Sequence, residues 1–375
     1  MMVSQVADVL GVALQGKDVL ITGVSKDTRD IRQGDLYVAL KGERFDGHQF
    51  VSQATMAGAV GVLVSSAQIV DVAQVEVDDT RLALGQLAAY WRGRFAGKLI
   101  GITGSNGKTS VKEMCNKILA DHAGQAAVLS TKGNLNNDIG MPMMLLELSK
   151  AHQFAVIEMG ANHVGEIGYL TRIAKPDVAI VNNVGPAHLE GFGSLENIAS
   201  AKAEIYDGLS EGGVAIINLD DVFTPFWKSY CAEKCPANRT IGFSMRDPGA
   251  DVYAEHLTDN TYLVVSKFDD KVVQDELTLK VPGAHNMMNA LAATAATLSV
   301  GIDLSSIIAS LSEFENIHGR LTAKQSDRGY RVIDDTYNAN PLSVTAAIKV
   351  LAEMPGNTVL VLGDMAELGS EAEKL

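Results

Sequence analysis

The sequence predicts an α/β protein organised around a parallel sheet, and three observations lead there. Four continuous apolar runs, KLIGIT (98–103), FAVIEM (154–159), DVAIVN (177–182) and GVAIIN (213–218), alternate with amphipathic segments, the pattern of strands covered by helices on both faces. The first run leads into a glycine-rich turn and then a helix, the connection that crossover helices of parallel sheets make. The length, 375 residues, suggests two or three domains at about 150 residues each.

Taken in order, the start MMVSQVADVLGVALQGKDVL reads as a helix: it lacks a basic leader and carries Asp8 within its apolar pattern, so a helix is expected there and not a signal peptide. Residues 1–82 then mix short strands, DLYVAL (35–40), GVLV (61–64) and AQVEV (73–77), with helical stretches and the loop KGERFDGH (41–48), and form a small α/β domain. Residues 83–319 hold the central parallel sheet. Its last part turns to period-two strands, TYLVVSKF (261–268) and ELTLKV (276–281), expected as an antiparallel flank before a helix of Ala, Asn and Met over about 285–300. A third unit, 320–375, shows a strand YRVID (330–334), a helix capped by Asn340 with Pro341 at its first position, and a strand TVLVLG (358–363). Some 55 residues are short for a domain, so this C-terminal α/β unit is expected to be incomplete.

Composition narrows the function. With 31 basic and 45 acidic residues the formal charge is −14, and no basic block exists to neutralise a nucleic-acid backbone, so nucleic acid is not expected as a partner. No run of about 18 apolar residues occurs, so no membrane span is expected. Hydrophobic residues at 47% supply sizeable cores and argue against disorder. Cys115, Cys231 and Cys235 are odd in number and lack a CxxC pair, which favours a reducing compartment, hence the cytoplasm, and a structural role.

The strongest chemical signal is ITGSNGKTS (102–110). Apolar residues at Val111, Met114, Cys115, Ile118 and Leu119 mark one buried helix face after it. Strand, glycine-rich turn, Lys-Thr and helix point backbone N–H groups at phosphates, with Lys108 on the outer phosphates and the Thr109 hydroxyl on Mg²⁺. The spacing departs from the common loop: Ile102 stands where its first glycine belongs, and Gly104 is the glycine present. Glu158 ends a buried apolar run and needs a partner, for which a metal is suited. His188 follows DVAIVN and also leaves the carboxyl end of a strand, where open α/β sheets bind ligands. Lys202 falls on the apolar face of NIASAKAEIYDGL (197–209) with Ile198 and Ile205. It is either a snorkelling lysine or a buried amine that needs an anion or a chemical change. Asn286 and Asn289 fall three apart on one helix face, a spacing that also suits capping or an inter-helix hydrogen bond.

These residues, with TKGNLNNDIGMP (131–142), EMGANHVGEI (158–167), NVGPAHLEGFGS (183–194), SAKAEI (200–205), PGAHNMMNA (282–290), HGR (318–320), DDTYNANP (334–341) and LGDMAELG (362–369), resemble the Mur ligase family over nearly the whole chain. The resemblance implies a three-domain enzyme in which a central P-loop ATPase domain is flanked by an N-terminal domain for a UDP-sugar peptide and a C-terminal nucleotide-binding-like domain. GNLNN and DDTYNANP are most similar to the members that add D-alanyl-D-alanine to UDP-N-acetylmuramoyl-tripeptide. The implied reaction is ATP-dependent amide formation through an acyl phosphate, in peptidoglycan and cell-wall synthesis and so in cell shape and division. By motif, Gly104, Ser105, Asn106, Gly107, Lys108, Thr109 and Ser110 hold the triphosphate, Asn286 and Asn289 lie around adenine, and Arg320 and Asp335 meet phosphate and ribose. Thr109 and Glu158 hold one Mg²⁺. His188 and Lys202, the latter as a carbamate, serve a second, and Lys108, His188 and Lys202 are the catalytic set. Thr28, Arg29, Asp46, Gly47 and His48 resemble the uridine diphosphate cradle, and Asn134, Asn136 and Asn137 the muramoyl-peptide loop. A monomer is expected. Two rivals remain: a sister ligase using another amino acid or extending a folate tail, and a nucleotide-binding switch that hydrolyses ATP without ligating.

Overall fold

The computed structural model describes residues 1–42, 45–186, 189–315, 319, 322–352, 354 and 356–365. Its contacts divide the chain into two compact units. The first comprises Met1–Gly97, Thr131–His152 and Arg172–Ala174, and the second comprises the remainder.

In the first unit, strands β1 (Leu14–Gln15), β2 (Gly23–Ser25), β3 (Asp35–Val38), β4 (Gly61–Val64) and β5 (Ala73–Glu76) form a sheet in the order β1-β5-β4-β3-β2. β2 to β5 run parallel, and β1 is antiparallel to β5. Both faces are covered, so the strands alternate between two cores. Leu36, Val38, Leu63 and Val75 face helices α1 (Val3–Leu10) and α3 (Thr80–Arg92), and Tyr37, Val62 and Val64 face α2 (Val51–Met56). Asp79 caps α3 by accepting from the N–H groups of Arg81 and Leu82. The same helix carries the Trp91 Nε1–H bond to the Leu148 carbonyl (2.8 Å) and the Arg81–Asp138 ion pair (2.8 Å), which tie in the segment holding α5 (Gly140–Leu146).

The second unit contains β6 (Lys98–Thr103), β7 (Val128–Ser130), β8 (Phe154–Glu158), β9 (Val178–Val181), β10 (Val214–Asn218), β11 (Arg239–Ser244), β12 (Val252–Thr258), β13 (Thr261–Ser266) and β14 (Val273–Thr278). Their order is β14-β13-β12-β11-β10-β9-β6-β8-β7. Every pairing from β7 to β12 is parallel, and β13 and β14 form the expected antiparallel flank. Helices α4 (Lys108–Ala123), α6 (Glu166–Ala174, of which Arg172–Ala174 count with the first unit), α7 (Leu189–Phe192), α8 (Leu195–Ala203), α9 (Thr224–Lys234), α10 (Ala284–Ser299) and α11 (Leu304–Ser312) connect and cover them. Ile100, Ile102, Val156, Ile180 and Ile216 pack with Met114 and Ile118 of α4 and the alanines of α10 in one continuous core. Alanine allows α10 to approach closely enough to be buried along most of its length. Cys115, Cys231 and Cys235 are buried free thiols, and burial pushes all three pKa values up, which suits core packing rather than reactivity.

Three sequence expectations shift. β14 starts at Val273, because the ladder with β13 pairs Ser266 with Val273 and Thr261 with Thr278, leaving 279–281 outside it. The helix expected over 197–209 is α8 followed by a 3₁₀ stretch, Glu204–Gly208. The strand TVLVLG is not formed: Val359 and Val361 are exposed, and no described strand pairs with them, so their backbone groups have no ladder to join. The third segment instead shows an antiparallel hairpin, β15 (Thr322–Gln325) with β16 (Arg331–Asp334), and helix α12 (Pro341–Ala352).

Candidate active site

The carboxyl edge of the second unit's sheet brings together the glycine-rich turn, Glu158 and Lys202 of the groups singled out in the sequence. β6 pairs with β8 through Ile102 and Glu158 and with β9 through Thr103 and Val181, so the glycine-rich turn, Glu158 and the chain after β9 leave the sheet side by side. Gly104, Ser105, Asn106 and Gly107 form the turn, and Lys108, Thr109 and Ser110 open α4. Gly107 has φ +77°, and a Cβ there would overlap Asn289 Oδ1 and stand 2.5 Å from Asn182 Nδ2; only glycine fits. Lys108 Nζ donates to the Gly104 carbonyl (2.7 Å), lying over its own loop.

The turn is braced by amides that the sequence reading passed over. Asn182 Nδ2 donates to the Asn106 carbonyl (3.0 Å) and to Asn289 Oδ1 (2.9 Å), and Asn183 accepts from the Asn106 N–H (2.9 Å). Asn218 Nδ2 holds the Asn182 carbonyl (2.9 Å). Ser105 Oγ exchanges hydrogen bonds with Gly185. The available signal was the pair Asn182-Asn183 directly after a buried strand, where polar side chains need partners. Among the described residues, Asn182 Oδ1 and Thr103 Oγ1 are buried beside this loop without a partner.

Two ionisable side chains sit deep here. Glu158 is 3% exposed and accepts from the Thr109 hydroxyl at 3.0 Å. Lys202 is 4% exposed, and burial, with the nearby Lys108 cation as a lesser cause, pushes its pKa well below the ordinary lysine range. Its helix is fixed by Trp227 Nε1 donating to the Ala199 carbonyl (3.2 Å), and the following turn by Thr171 Oγ1 donating to the Ile205 carbonyl (2.8 Å). No hydrogen bond or ion pair engages the Lys202 amine among the described residues. His188 and Arg320 lie outside the described residues. No group of three or more metal-ligating side chains is present among those described.

Beside the loop a cavity of about 710 Å³, within the size range of small-molecule sites, is lined by Asn106, Gly107, Asn286, Asn289 and Asp335. Apolar walls come from Met245, Met288 and Phe314, and the amino-terminal part of α12 supplies Leu342 and Ser343. Asn286 also donates to the Pro282 carbonyl (2.7 Å), so its amide is part cap and part cavity wall. Asp220, Asp221 and Arg246 line the cavity as well and were not singled out in the sequence. Burial raises the Asp221 pKa, while its carboxylate accepts from the N–H groups of Phe223 and Val184. Burial lowers the pKa of His285, another lining residue, with Asp335 opposing. Loop, helix N-terminus, lysine and cavity together fit a nucleotide polyphosphate with its base and sugar, and the Thr109–Glu158 oxygens fit a hard divalent cation.

In the first unit, His48 Nδ1 lies 2.6 Å from Asp46 Oδ1, and its Nε2 accepts from the Ser65 N–H (2.8 Å). Both ring nitrogens are thus committed within the protein. Gly47 is buried against Leu40, where a Cβ would stand 2.8 Å from the carbonyl oxygen. Arg29 is exposed and forks onto Asp27, which holds that carboxyl well below its usual range; Thr28 lies half-buried beside them. Asn137 Oδ1 caps α5 through the Gly140 N–H (2.7 Å), Asn134 is exposed, and Asn136 is half-buried.

Residues 102–297 match the Mur ligase middle domain, 319–375 the Mur ligase glutamate ligase domain and 20–92 the Mur ligase family catalytic domain. A UDP-N-acetylmuramoyl-tripeptide–D-alanyl-D-alanine ligase of Escherichia coli (strain K12) is 45% identical over 370 residues, 99% of this chain and 80% of that protein. One of the same name from Bacillus subtilis (strain 168) is 38% identical over 96% of this chain and 77% of its own length. The solved structure of MurF from Acinetobacter baumannii has a TM-score of 0.88 at 40% identity, covering 99% of this chain and 80% of that one. MurF ligase from Thermotoga maritima in complex with ADP has a TM-score of 0.80 at 30% identity, over 96% and 81%. With its middle part matched throughout and close relatives along its whole length, the chain belongs to the Mur ligase family.

Proposed function

We propose that this chain is the ATP-dependent ligase that joins D-alanyl-D-alanine to UDP-N-acetylmuramoyl-tripeptide in peptidoglycan precursor synthesis. A carboxylate does not condense with an amine in water at neutral pH unless it is activated, and phosphoryl transfer from ATP supplies that activation. The difficulty is electrostatic, since two anions must meet, so the site has to gather positive charge where charge builds up. The observation that carries the reading is the meeting of a phosphate loop, the Thr109–Glu158 pair and the inward Lys202 at one sheet edge.

In this reading Gly104 to Ser110 cradle the triphosphate, and Lys108 swings from the Gly104 carbonyl to the outer phosphates. Asn286, Asn289 and Asp335 line the place for adenosine, with Arg320 completing it. Thr109 and Glu158 are the ligands for one Mg²⁺, and His188 and Lys202 serve a second; the ions would supply charge neutralisation. A neutral amine is the form that adds to CO₂, giving a carbamate and releasing a proton, so the depressed pKa of Lys202 supports the modification. Thr28, Arg29, Asp46, Gly47 and His48 are assigned to the uridine diphosphate and Asn134, Asn136 and Asn137 to the muramoyl peptide. Because the His48 ring is already engaged, its part is to hold its loop. The domain division 1–82, 83–319 and 320–375, a monomeric state and a cytoplasmic location belong to the same proposal; no described helix is long and apolar enough to cross a membrane.

The names borne by the Escherichia coli and Bacillus subtilis relatives favour D-alanyl-D-alanine over the acceptors of sister ligases and over a non-ligating switch. The test is acceptor-dependent phosphate release and product mass with the full-length protein, UDP-N-acetylmuramoyl-tripeptide and, in turn, D-alanyl-D-alanine, meso-diaminopimelate, lysine or glutamate. Product with D-alanyl-D-alanine alone is expected, and product with any other acceptor but not this one defeats the assignment.

A further inference from the structure

Asn340 begins α12, and its side chain works in two directions. Oδ1 accepts from the Ser343 N–H at 2.9 Å, capping the helix, and Nδ2 donates to Asn106 Oδ1 at 2.5 Å, across 234 positions of sequence. The cap decides the orientation of the Asn340 amide, because only oxygen can accept from Ser343. That leaves nitrogen toward Asn106, which must answer with its own oxygen. The Asn106 amide is therefore turned so that its Nδ2 is the edge left over, and no bond to that nitrogen exists among the described residues. Asn106 lies in the phosphate loop and lines the cavity. Its N–H and carbonyl are already held by Asn183 and Asn182, so the backbone of this residue is fixed and its side chain is set from α12. Leu342, two residues on, packs against Gly185, where a Cβ would collide with it, so the start of α12 is seated on the same loop system.

We propose that Asn340 is a positioning residue that turns the Asn106 amide donor-outward for the polyphosphate of the nucleotide, so that grip on the outer phosphates depends on α12 being seated. The inference rests on the nucleotide-binding reading above. With Asn340 absent, the Asn106 amide is free to turn its oxygen toward the phosphates, replacing an attraction by a repulsion. A wall that merely shapes the cavity would affect every nucleotide alike, whereas an amide set for phosphates affects only ligands that carry them.

The experiment compares binding of ADP, a non-hydrolysable ATP analogue and adenosine by the full-length protein and its Asn340→Ser variant. Serine is a good neutral cap but is too short to reach Asn106, so α12 is retained. Expected is roughly tenfold weaker binding of ADP and the ATP analogue, the scale of one hydrogen bond to a charged group, with adenosine binding unchanged. Asn340→Ser added to Asn106→Ala should have no further effect, since the side chain it acts through is gone. Unchanged ADP affinity in Asn340→Ser, equal losses for ADP and adenosine, or additive losses in the double variant would each overturn the inference. Failure of the unsubstituted protein to bind ADP would instead refute the nucleotide reading on which it rests.

Discussion

Glu158 and Lys202 occupy the same sheet edge at nearly the same depth, yet they are built in opposite ways. The carboxylate ends a parallel strand and meets a hydroxyl donor from the first turn of α4, so its burial is matched by a hydrogen bond. The amine lies at the end of a helix with Ile198, Ala199, Ala201 and Ala203 beside it in the sequence, and the nearby Lys108 cation acts against its charge. A buried charge that is partnered is a finished part of the fold that can also serve as a ligand. One that is unpartnered costs stability until something arrives to complete it, and such arrangements concentrate where chemistry is done.

The largest expected effects follow from that asymmetry. Lys202→Met and Glu158→Ala should each lower amide formation by a factor on the order of 10²–10³, the scale for losing one group that stabilises developing charge. Stability should move in opposite directions. Lys202→Met replaces an amine that has no partner among the described residues by an apolar chain of similar length and should leave the thermal midpoint equal or higher. Glu158→Ala removes a buried charge-assisted bond, about 1.5–3 kcal/mol, and should lower it. A fall in midpoint for Lys202→Met matching that of Glu158→Ala would show that the lysine is structural, and the contrast would disappear.

Next in size is Gly107→Ala. Its new methyl would meet the Asn182 and Asn289 amides and displace the hydrogen bond between them, in a backbone conformation that costs alanine about 1–2 kcal/mol. ADP affinity should fall roughly a hundredfold, measured by calorimetry, because the loop's N–H groups can no longer converge. The core strands lie behind this turn and should keep their amide-exchange protection. Loss of protection throughout β6 and β9 would mean that the glycine serves folding rather than binding.

How far the residues announced this site depends on how local each signal is. The turn, α4 and the four buried strands were legible because each is a contiguous pattern of apolar run, glycine and period. Glu158 and Lys202 were legible because a charge stands out against an apolar run or face. Asn182, Asn183 and Asn218 were not, since an amide after a strand looks the same whether it faces water or braces a loop 76 residues away. Asp220, Asp221 and Arg246 were missed for the same reason: only the parallel order β9-β10-β11 brings their loops to the cavity. The strand expected at 358–363 failed because the continuous apolar run Val359–Leu362 describes a segment that wants covering, while a strand also needs a neighbour to bond with.

The smallest effect sets the baseline for the contrast between Glu158 and Lys202. Asp303 caps α11 from an exposed position, and hydrogen bonds from Ser305 and then from Ser306 hold its carboxyl down to about 2. A depressed carboxyl adds stability above its unfolded pKa, near 3.9, and that contribution is lost as pH falls from about 4 to about 2. Water screens the charge, so the electrostatic share is small and the cap itself, about 1 kcal/mol, dominates. Asp303→Asn keeps a capping oxygen and should leave protection of the Ser306 and Ile307 amides at neutral pH close to that of the unsubstituted protein, while removing the acid-side loss. Asp303→Ala should lower protection at both ends of the pH range. If Asp303→Asn proved as costly as Asp303→Ala at neutral pH, charge rather than geometry would govern this cap. Exposed charges would then matter more in this protein than the buried pair at the sheet edge implies, and the sign test on Lys202 would need correction for surface electrostatics before it could be read.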